Sequence, residues 1–220
     1  VVKEENKRVA DLIGINHAAR CTTVKPSGTS SCVLGSSSGI HAWHDEYYIR
    51  RQRLGKNEAL YQHLIKYHPE LIEDEYFNPD SQAVVEIPQK APQGSILRSE
   101  SPLELLDRVR RFNTEWVAEG HIEGQNTHNV SSTISVKEDE WSLVGEWMWK
   151  NRNTFNGISV LPYDGGTYIQ APFETITKER FEVLEKSLND IDLTKVVEAV
   201  DNTDLSGEAA CSAGGCELTF

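Results

Sequence analysis

The middle of the chain alternates twice between a helical pattern and a short strand pattern. Apolar side chains recur at helical spacing from Leu103 to Glu119, and residues 129–136 then alternate in the manner of a strand. A second helical pattern at 138–151 and an apolar run at 157–161 repeat the order. Because helices and strands in alternation place successive strands side by side and in the same direction, this pattern predicts an α/β fold with a parallel sheet.

The rest of the chain carries shorter patterns. Helical periodicity covers residues 2–13, 45–53 and 58–67 and part of 178–200, and strand patterns cover residues 21–26 and 83–87. From Asp201 onward the composition changes to acidic and small residues, which predicts a flexible acidic tail. The predicted domains are therefore one α/β portion over residues 1–200 and a tail over residues 201–220.

Charge and hydropathy argue against two classes of partner. Lys and Arg number 22 against 34 Asp and Glu, for a formal net charge of -12, whereas nonspecific binding to nucleic acid requires a cationic face. No apolar run approaches the ~20 residues of a membrane span, and the polar start is unlike a signal peptide. Four cysteines are too few for a secreted disulfide framework, so we expect a reducing compartment, the cytoplasm.

A turn rich in glycine and hydroxyl groups follows the first predicted strand. Its residues are Ser27, Gly28, Thr29 and Ser30, and a helix is predicted to begin there. Glycine lets the backbone approach a ligand closely, and amides, hydroxyl groups and the helix dipole together favour an anion such as phosphate. The spacing is not that of a Walker A loop. The residues alone leave open a phosphate-binding turn and a turn in which Ser27 or Thr29 only caps the helix.

Two cysteines, Cys211 and Cys216, lie close to the carboxyl end among small residues. On a flexible segment, two thiols can close a disulfide reversibly and exchange it with another disulfide through a mixed disulfide. Half of a zinc site is an alternative, but zinc usually takes four ligands and no other Cys or His is near in sequence. An incidental pair is the third interpretation. Redox exchange is the interpretation that we favour.

Other candidate side chains have structural explanations of at least equal weight. His41 and His44, with Asp45 and Glu46 after them, could bind a metal ion, but a capped helix start explains them as well. We therefore predict no metal site. The Tyr- and Gly-containing run at 163–168 follows an apolar strand and could contact a ligand, or it could form only a glycine turn.

Several motifs together resemble one enzyme family. The stretch from Thr23 to Ser31, continued by residues 34–41, is similar to the signature of the adenosylcobalamin-dependent (class II) ribonucleotide reductases. Further segments resemble the monomeric ribonucleoside-triphosphate reductase branch, namely residues 49–51, 55–57, 85–88, 126–129 and 162–168 and the ending Cys-x-x-x-x-Cys. These motifs span nearly the whole chain. Each motif alone has little specificity for the family, but the set of them is highly specific.

The resemblance implies a ten-stranded α/β barrel, of which this chain would supply the carboxyl-terminal strands and helices together with a flexible redox tail. It also implies the chemistry: the Co–C bond of adenosylcobalamin breaks, and a cysteine thiyl radical takes the 3′ hydrogen of a ribonucleotide. Two further cysteines supply electrons as the 2′ hydroxyl leaves. Because none of those three cysteines is evident here, the resemblance implies a separate amino-terminal part, without which this chain should not turn over.

The family's site residues are carried over position by position. The resemblance assigns the four residues of the 27–30 turn to the substrate's phosphates. It assigns Cys211 and Cys216 to the tail dithiol that re-reduces the active site and is recharged by thioredoxin. The predicted function is the carboxyl-terminal part of a ribonucleotide reductase, for which the resemblance favours triphosphate substrates.

Two other functions stay open at the level of the sequence. One is a non-catalytic nucleotide-phosphate-binding module or a partner subunit of a reductase. The other is a small thiol oxidoreductase, which is weakened by the absence of a Cys-x-x-Cys motif at a helix start.

Overall fold

The computed structural model describes residues 1–163, 165 and 169–198, and for Thr29 and Cys32 it describes the backbone alone. The helices are α1 (Val2–Ile13), α2 (Thr29–Leu34), α3 (Ala59–Tyr67), α4 (Pro102–Phe112), α5 (Trp141–Lys150) and α6 (Lys178–Asn189), with short 3-10 turns at Pro69–Leu71 and Leu193–Lys195 and a π-helical turn at Asn113–Val117. The strands are β1 (Tyr47–Gly55), β2 (Ile72–Asp74), β3 (Gln82–Lys90), β4 (Thr133–Val136), β5 (Ser159–Pro162) and β6 (Phe173–Thr175). They belong to two compact units: residues 1–42 with 98–163, and residues 43–97 with the described residues from 165 onward.

In the first unit, β4 and β5 form a parallel pair. Thr133 lies opposite Ser159, and Val136 lies opposite Pro162. Helix α5 connects the two strands along the chain, as the helix and strand alternation of the sequence predicts. The predicted parallel pairing is confirmed for these two strands.

Helix α4 supplies much of the apolar core of the first unit. Its residues Leu106 and Val109 are fully buried, and they belong to one cluster with Ile134 of β4 and Val144 of α5. Full burial of such side chains contributes about 1.5–3 kcal/mol each relative to exposure. The helix predicted over 103–119 is confirmed up to Phe112, and the π-helical turn continues it to Val117.

A capping box begins α4. The Ser101 hydroxyl accepts a hydrogen bond from Glu104 N–H at 3.3 Å, and the Glu104 carboxylate accepts one from Ser101 N–H at 2.7 Å. The Ser101 hydroxyl also donates to the Glu104 carboxylate at 3.0 Å, and the bonds that this carboxylate accepts from the Ser101 backbone and side chain lower the pKa of Glu104. Two of the helix's unpaired amides are thereby satisfied, and Pro102 occupies the first helical position, where no amide is needed.

The segment at 19–24, which we call the strap, is not the strand that the sequence predicts over 21–26. Hydrogen bonds from side chains occupy its carbonyl groups: the His128 ring donates to Thr22 O at 2.9 Å, and the Trp116 indole donates to Thr23 O at 3.0 Å. The Thr22 hydroxyl in turn donates to Trp116 O at 2.5 Å. Because these groups are not available for a ladder, the strap makes only isolated bridges, at 20 with 121 and at 24 with 130.

The second unit contains a four-stranded sheet in the order β2-β3-β1-β6. All of its pairings are antiparallel, with Tyr47 opposite Lys90 and Gly55 opposite Gln82 in the longest ladder. The parallel sheet that the sequence predicts therefore does not extend to this unit. The strand predicted at 83–87 and the helix predicted at 58–67 are confirmed as β3 and α3.

The helix predicted around residues 45–53 is wrong, because these residues belong largely to β1. This strand pairs with β3 along its whole length and with β6 over Tyr48–Arg50, so the backbone groups of its first half are paired on both edges. Charged residues at the centre of β1 made its sequence look like that of a helix. The Arg51 side chain is 9% exposed and pairs with Glu73 at 2.8 Å and with Glu174 at 2.7 Å, so a cation occupies an interior position.

Candidate functional site

The glycine and hydroxyl turn lies in the first unit, directly before α2. The helix begins at Thr29, as the sequence predicts. Ser27 is half-buried and Ser30 is exposed, whereas the buried Ser31 donates its hydroxyl hydrogen to Gly28 O at 3.0 Å. This local bond fixes the first turn of α2 and leaves the exposed Ser30 side chain on the outer face of the turn.

A second glycine-rich turn packs against the first. Gly39 N–H donates to the Ser27 hydroxyl oxygen at 3.4 Å. Gly39 has a positive φ of 57°, and a Cβ built on it would lie 3.2 Å from Lys25 O and 3.5 Å from the Cα of Pro26. Glycine is therefore required here for two reasons, the left-handed backbone and the close approach of the two turns. Ser27 is held between its own turn and the turn at 38–39.

The ring of His41 connects this second turn to β4. Its Nε2 lies 3.1 Å from the amide nitrogen of Thr133, and its Nδ1 lies 2.9 Å from Ser38 O. An amide N–H can only donate and a carbonyl oxygen can only accept, so Nε2 is the acceptor and Nδ1 carries the hydrogen. The backbone N–H of His41 also donates to Ser38 O, at 3.0 Å. Both ring nitrogens of a neutral imidazole are used.

Arg108 of α4 holds the same loop from a different element. Its guanidinium donates to Ile40 O at 3.0 Å and forms an ion pair with Glu100. Both side chains are largely buried, with exposed fractions of 19% and 10%, and Ile40 itself belongs to the apolar core. The loop that supports Ser27 therefore has one polar anchor on β4 and another on α4.

The remaining predicted site residues have varied positions. Cys211 and Cys216 lie outside the described residues, as do Asp164 and 166–168 of the predicted ligand run, and their roles stay predictions. Tyr163 at the start of that run is exposed, and its amide donates to Val136 O at 2.9 Å.

The histidines that the sequence offered as metal ligands have other partners. His41 makes the backbone contacts given above, and the His44 ring stacks on Phe173 with 5.6 Å between ring centroids. Within the described ranges, no group of three or more His, Cys, Asp or Glu side chains is placed to hold a metal ion. In the same part of the chain, no helix combines the length and apolar character that crossing a membrane requires.

Sequence reasoning missed His41 and Arg108 as supports of the turn. The sequence places His41 inside the motif that resembles the reductases, and this was the available signal. Its partner Thr133 lies 92 positions further along the chain, so no local pattern could have predicted the contact. Arg108 falls within a short basic run on a predicted helix, which favours a solvated face and gives no sign of an interior contact.

Comparison with known proteins gives the same family as the motifs. The chain is 28% identical to an adenosylcobalamin-dependent ribonucleoside-triphosphate reductase of Euglena gracilis, over 98% of this chain and 29% of that protein. It is 29% identical to the enzyme of the same name from Lactobacillus leichmannii, over 99% of this chain and 29% of that protein. A crystal structure of a B-12 dependent (class II) ribonucleotide reductase superposes with a TM-score of 0.70 at 25% identity, covering 88% of this chain and 26% of that one. The predicted resemblance is confirmed.

The matched proteins are much longer than this chain. No family model matches the chain. The chain spans less than a third of the length of the curated relatives, which fits the prediction that it corresponds to a carboxyl-terminal portion. Its mixed α/β architecture is similar to a part of the class II reductase structure.

Proposed function

We propose that this chain is the carboxyl-terminal part of a cobalamin-dependent ribonucleotide reductase that converts ribonucleoside triphosphates to 2′-deoxyribonucleotides. The observation that supports it most is the similarity to reductases over nearly the full chain, together with the class II structural match. Within that enzyme the chain contributes strands and helices of the barrel, the phosphate-binding turn and the tail dithiol.

The phosphate-binding role is proposed for Ser27, Gly28, Thr29 and Ser30. The helix begins within this turn, so amides of its first turn have no partner inside the helix and can donate to an anion. Ser27 accepts from Gly39 N–H and keeps its own hydroxyl hydrogen for a phosphate oxygen. Ser30 is exposed and can donate in the same way.

The tail dithiol is proposed to carry electrons to the active site. A thiolate of Cys211 or Cys216 attacks the active-site disulfide and forms a mixed disulfide, and the second tail cysteine then displaces it. The active site gains two electrons and two protons as two thiols, and the tail is left as a disulfide. Thioredoxin reduces that disulfide and becomes oxidised in turn.

Adenosylcobalamin belongs to the complete enzyme in this proposal. When bound, it supplies the homolytic Co–C cleavage that creates the thiyl radical. A groove of about 640 Å³ beside α1 is lined mainly by aliphatic residues, among them Val2, Val9 and Ile13. Its lining has few polar side chains, and two of them, Asn6 and Arg20, already donate to backbone carbonyl groups, so it offers few donors for the corrin amides. This groove does not fit the cofactor, and we assign no cobalamin-dependent step to the described residues.

An amino-terminal part of the reductase is the proposed partner. Along α1 and just after it, Leu12, Ile13 and Ile15 are 75%, 60% and 62% exposed, and Leu161 on β5 is 47% exposed. Apolar exposure on this scale around a helix and a strand favours a partner surface. We propose that the remaining part of the reductase covers these residues.

The proposal is tested by reconstitution. The chain is combined with the amino-terminal part, adenosylcobalamin, a ribonucleoside triphosphate and a dithiol, and deoxynucleotide is measured. Turnover by the complex and none by the chain alone is expected. A well-folded complex that makes no deoxynucleotide would favour the non-catalytic module instead.

Two substitutions divide the proposed roles. Gly28→Val should weaken nucleotide binding, because the side chain crowds the phosphate, and unchanged affinity would count against the turn. Changing Cys211 and Cys216 together to Ser should abolish turnover with thioredoxin, while a small dithiol that enters the site directly still supports some. Equal loss with both reductants would refute the shuttle. Cys21→Ser is the control, since Cys21 lies half-buried in the first unit and should affect neither reductant.

A further inference from the structure

We infer that His41 is a positioning residue for the phosphate-binding turn, through a chain of hydrogen bonds that begins at β4 and ends at Ser27. The inference rests on the proposed function and adds a residue to it. Its elements are Thr133 N–H to His41 Nε2, His41 Nδ1–H to Ser38 O, and Gly39 N–H to the Ser27 hydroxyl.

The hydrogen-bond chain is rigid at its β4 end. Thr133 is the first residue of β4, and it pairs in parallel with Ser159 of β5. The next residue, Ile134, is fully buried in the apolar core of the first unit. The amide that His41 accepts from is therefore fixed by the core, and an apolar side chain at position 41 would leave that amide without its partner.

At its Ser27 end, the hydrogen-bond chain depends on the position of the second turn, at residues 38–39. The bond from Gly39 N–H to the Ser27 oxygen is 3.4 Å, at the long end of hydrogen-bond distances, so a small shift of the turn breaks it. That bond occupies a lone pair of Ser27 and so directs the remaining hydroxyl hydrogen away from Gly39. His41 thereby sets the direction in which Ser27 donates.

If His41 only stabilised the fold, replacing it would weaken anion binding no more than any other substitution that lowers stability equally. Arg108 anchors Ile40 O independently, and Ile40 is packed in the core. Loss of the His41 ring should therefore leave the loop folded but allow the turn at 38–39 to move. Because the Thr133 amide also loses its partner, stability should fall as well, and the expected result is a loss of anion binding that an equal loss of stability elsewhere in the same core does not reproduce.

Two variants that carry the same amide group at different reach, His41→Gln and His41→Asn, test the role of His41. Gln at position 41 has an oxygen at about the reach of Nε2 and can accept from Thr133 N–H, whereas Asn is one methylene shorter and cannot. Binding of inorganic tripolyphosphate to the full chain is measured by calorimetry. We expect His41→Asn to bind roughly fivefold more weakly than the wild type, the effect of one hydrogen bond, and His41→Gln to bind within about twofold.

Two further measurements separate positioning from stability. Val144→Ala is the matched control, because it opens a cavity in the same core and should lower stability without changing affinity for tripolyphosphate. The ¹⁵N resonances of the His41 ring should show hydrogen on Nδ1 and none on Nε2. The opposite tautomer would overturn the inference.

The outcomes distinguish this inference from the function on which it rests. Wild-type affinity in His41→Asn, with a wild type that binds tripolyphosphate, would overturn the role of His41 and leave the turn intact. A fall in affinity in Val144→Ala equal to that in His41→Asn would also overturn it. A wild-type chain that does not bind tripolyphosphate would overturn the phosphate-binding turn itself, and with it the role of His41.

Discussion

The buried Gly120 allows a sharp test of how the strap is held. A methyl group added at Gly120 would stand 1.8 Å from Thr22 Oγ1 and 2.6 Å from Thr22 Cβ. Both distances are far shorter than van der Waals contact, so Gly120→Ala must displace Thr22 and break the bond from its hydroxyl to Trp116 O. Gly120 O also accepts from Cys21 N–H at 2.8 Å, so the displacement reaches the backbone of the strap.

The expected loss of stability follows from these contacts. Overpacking a close-packed site costs about 1–3 kcal/mol, and the lost hydrogen bond adds about 1 kcal/mol. We therefore expect Gly120→Ala to lower the free energy of unfolding by about 2–4 kcal/mol, measured by urea unfolding followed through tryptophan fluorescence.

Gly145→Ala is the matched control for this prediction. It makes the same substitution in the same unit, in the interior of α5, where the added methyl group meets no heavy atom within 4 Å. Because glycine is a poor helix former, Ala should here raise stability by up to ~1 kcal/mol. If Gly120→Ala were as stable as the wild type while Gly145→Ala gained stability, the steric reasoning would be refuted. Adding Thr22→Ala to Gly120→Ala should recover part of the loss, since it removes the nearest atom.

Three further predictions concern pH and capping. Tyr48 is 6% exposed, and burial raises its pKa from 10.0 to about 12. The stability that this burial contributes is therefore full below pH 10 and is lost as the pH rises to 12. In urea unfolding, Tyr48→Phe should lose less stability than the wild type over that interval, and identical alkaline curves for the two proteins would contradict this. Ser101→Ala removes the cap of α4 and should lower the free energy of unfolding by about 1 kcal/mol, whereas no change would show that the cap is dispensable. Because the pKa of Glu104 is lowered, its carboxylate stabilises the fold at neutral pH and stops doing so as the pH falls through that pKa. The stability difference between the wild type and Glu104→Gln should therefore disappear on acidification. A difference that does not depend on pH would show that the charge of Glu104 is not its cause.

The form of the turn at 27–30 could be predicted from the sequence, but the contacts that support this turn could not. The composition of the turn at 27–30 and the helix start after it are local properties, and the backbone has the predicted form. The turn at 38–39 was visible only as glycine and serine residues. Its contact with Lys25 O and its link to Thr133 depend on residues that the fold brings together from distant positions.

The strand β1 shows the same limit in a different form. Its residues include several arginines among aromatic and branched side chains, a composition that both a helix and a strand can carry. Only pairing with β3 and β6 on its two edges, and glutamates placed around Arg51, make the extended form the stable one. A pattern confined to nine residues contains neither the edges nor the glutamates.

The sequence by itself determined the alternation of helix and strand from α4 to β5, the capped start of α4 and the turn at 27–30, because these depend on periodicity and on groups a few residues apart. The tertiary structure alone decided that 47–55 is a strand, that the strap bonds to side chains, and that His41 joins the second turn to β4. In each of these cases the deciding hydrogen bond or ion pair connects residues far apart in the chain. The backbone conformation then follows from partners that local propensity does not contain.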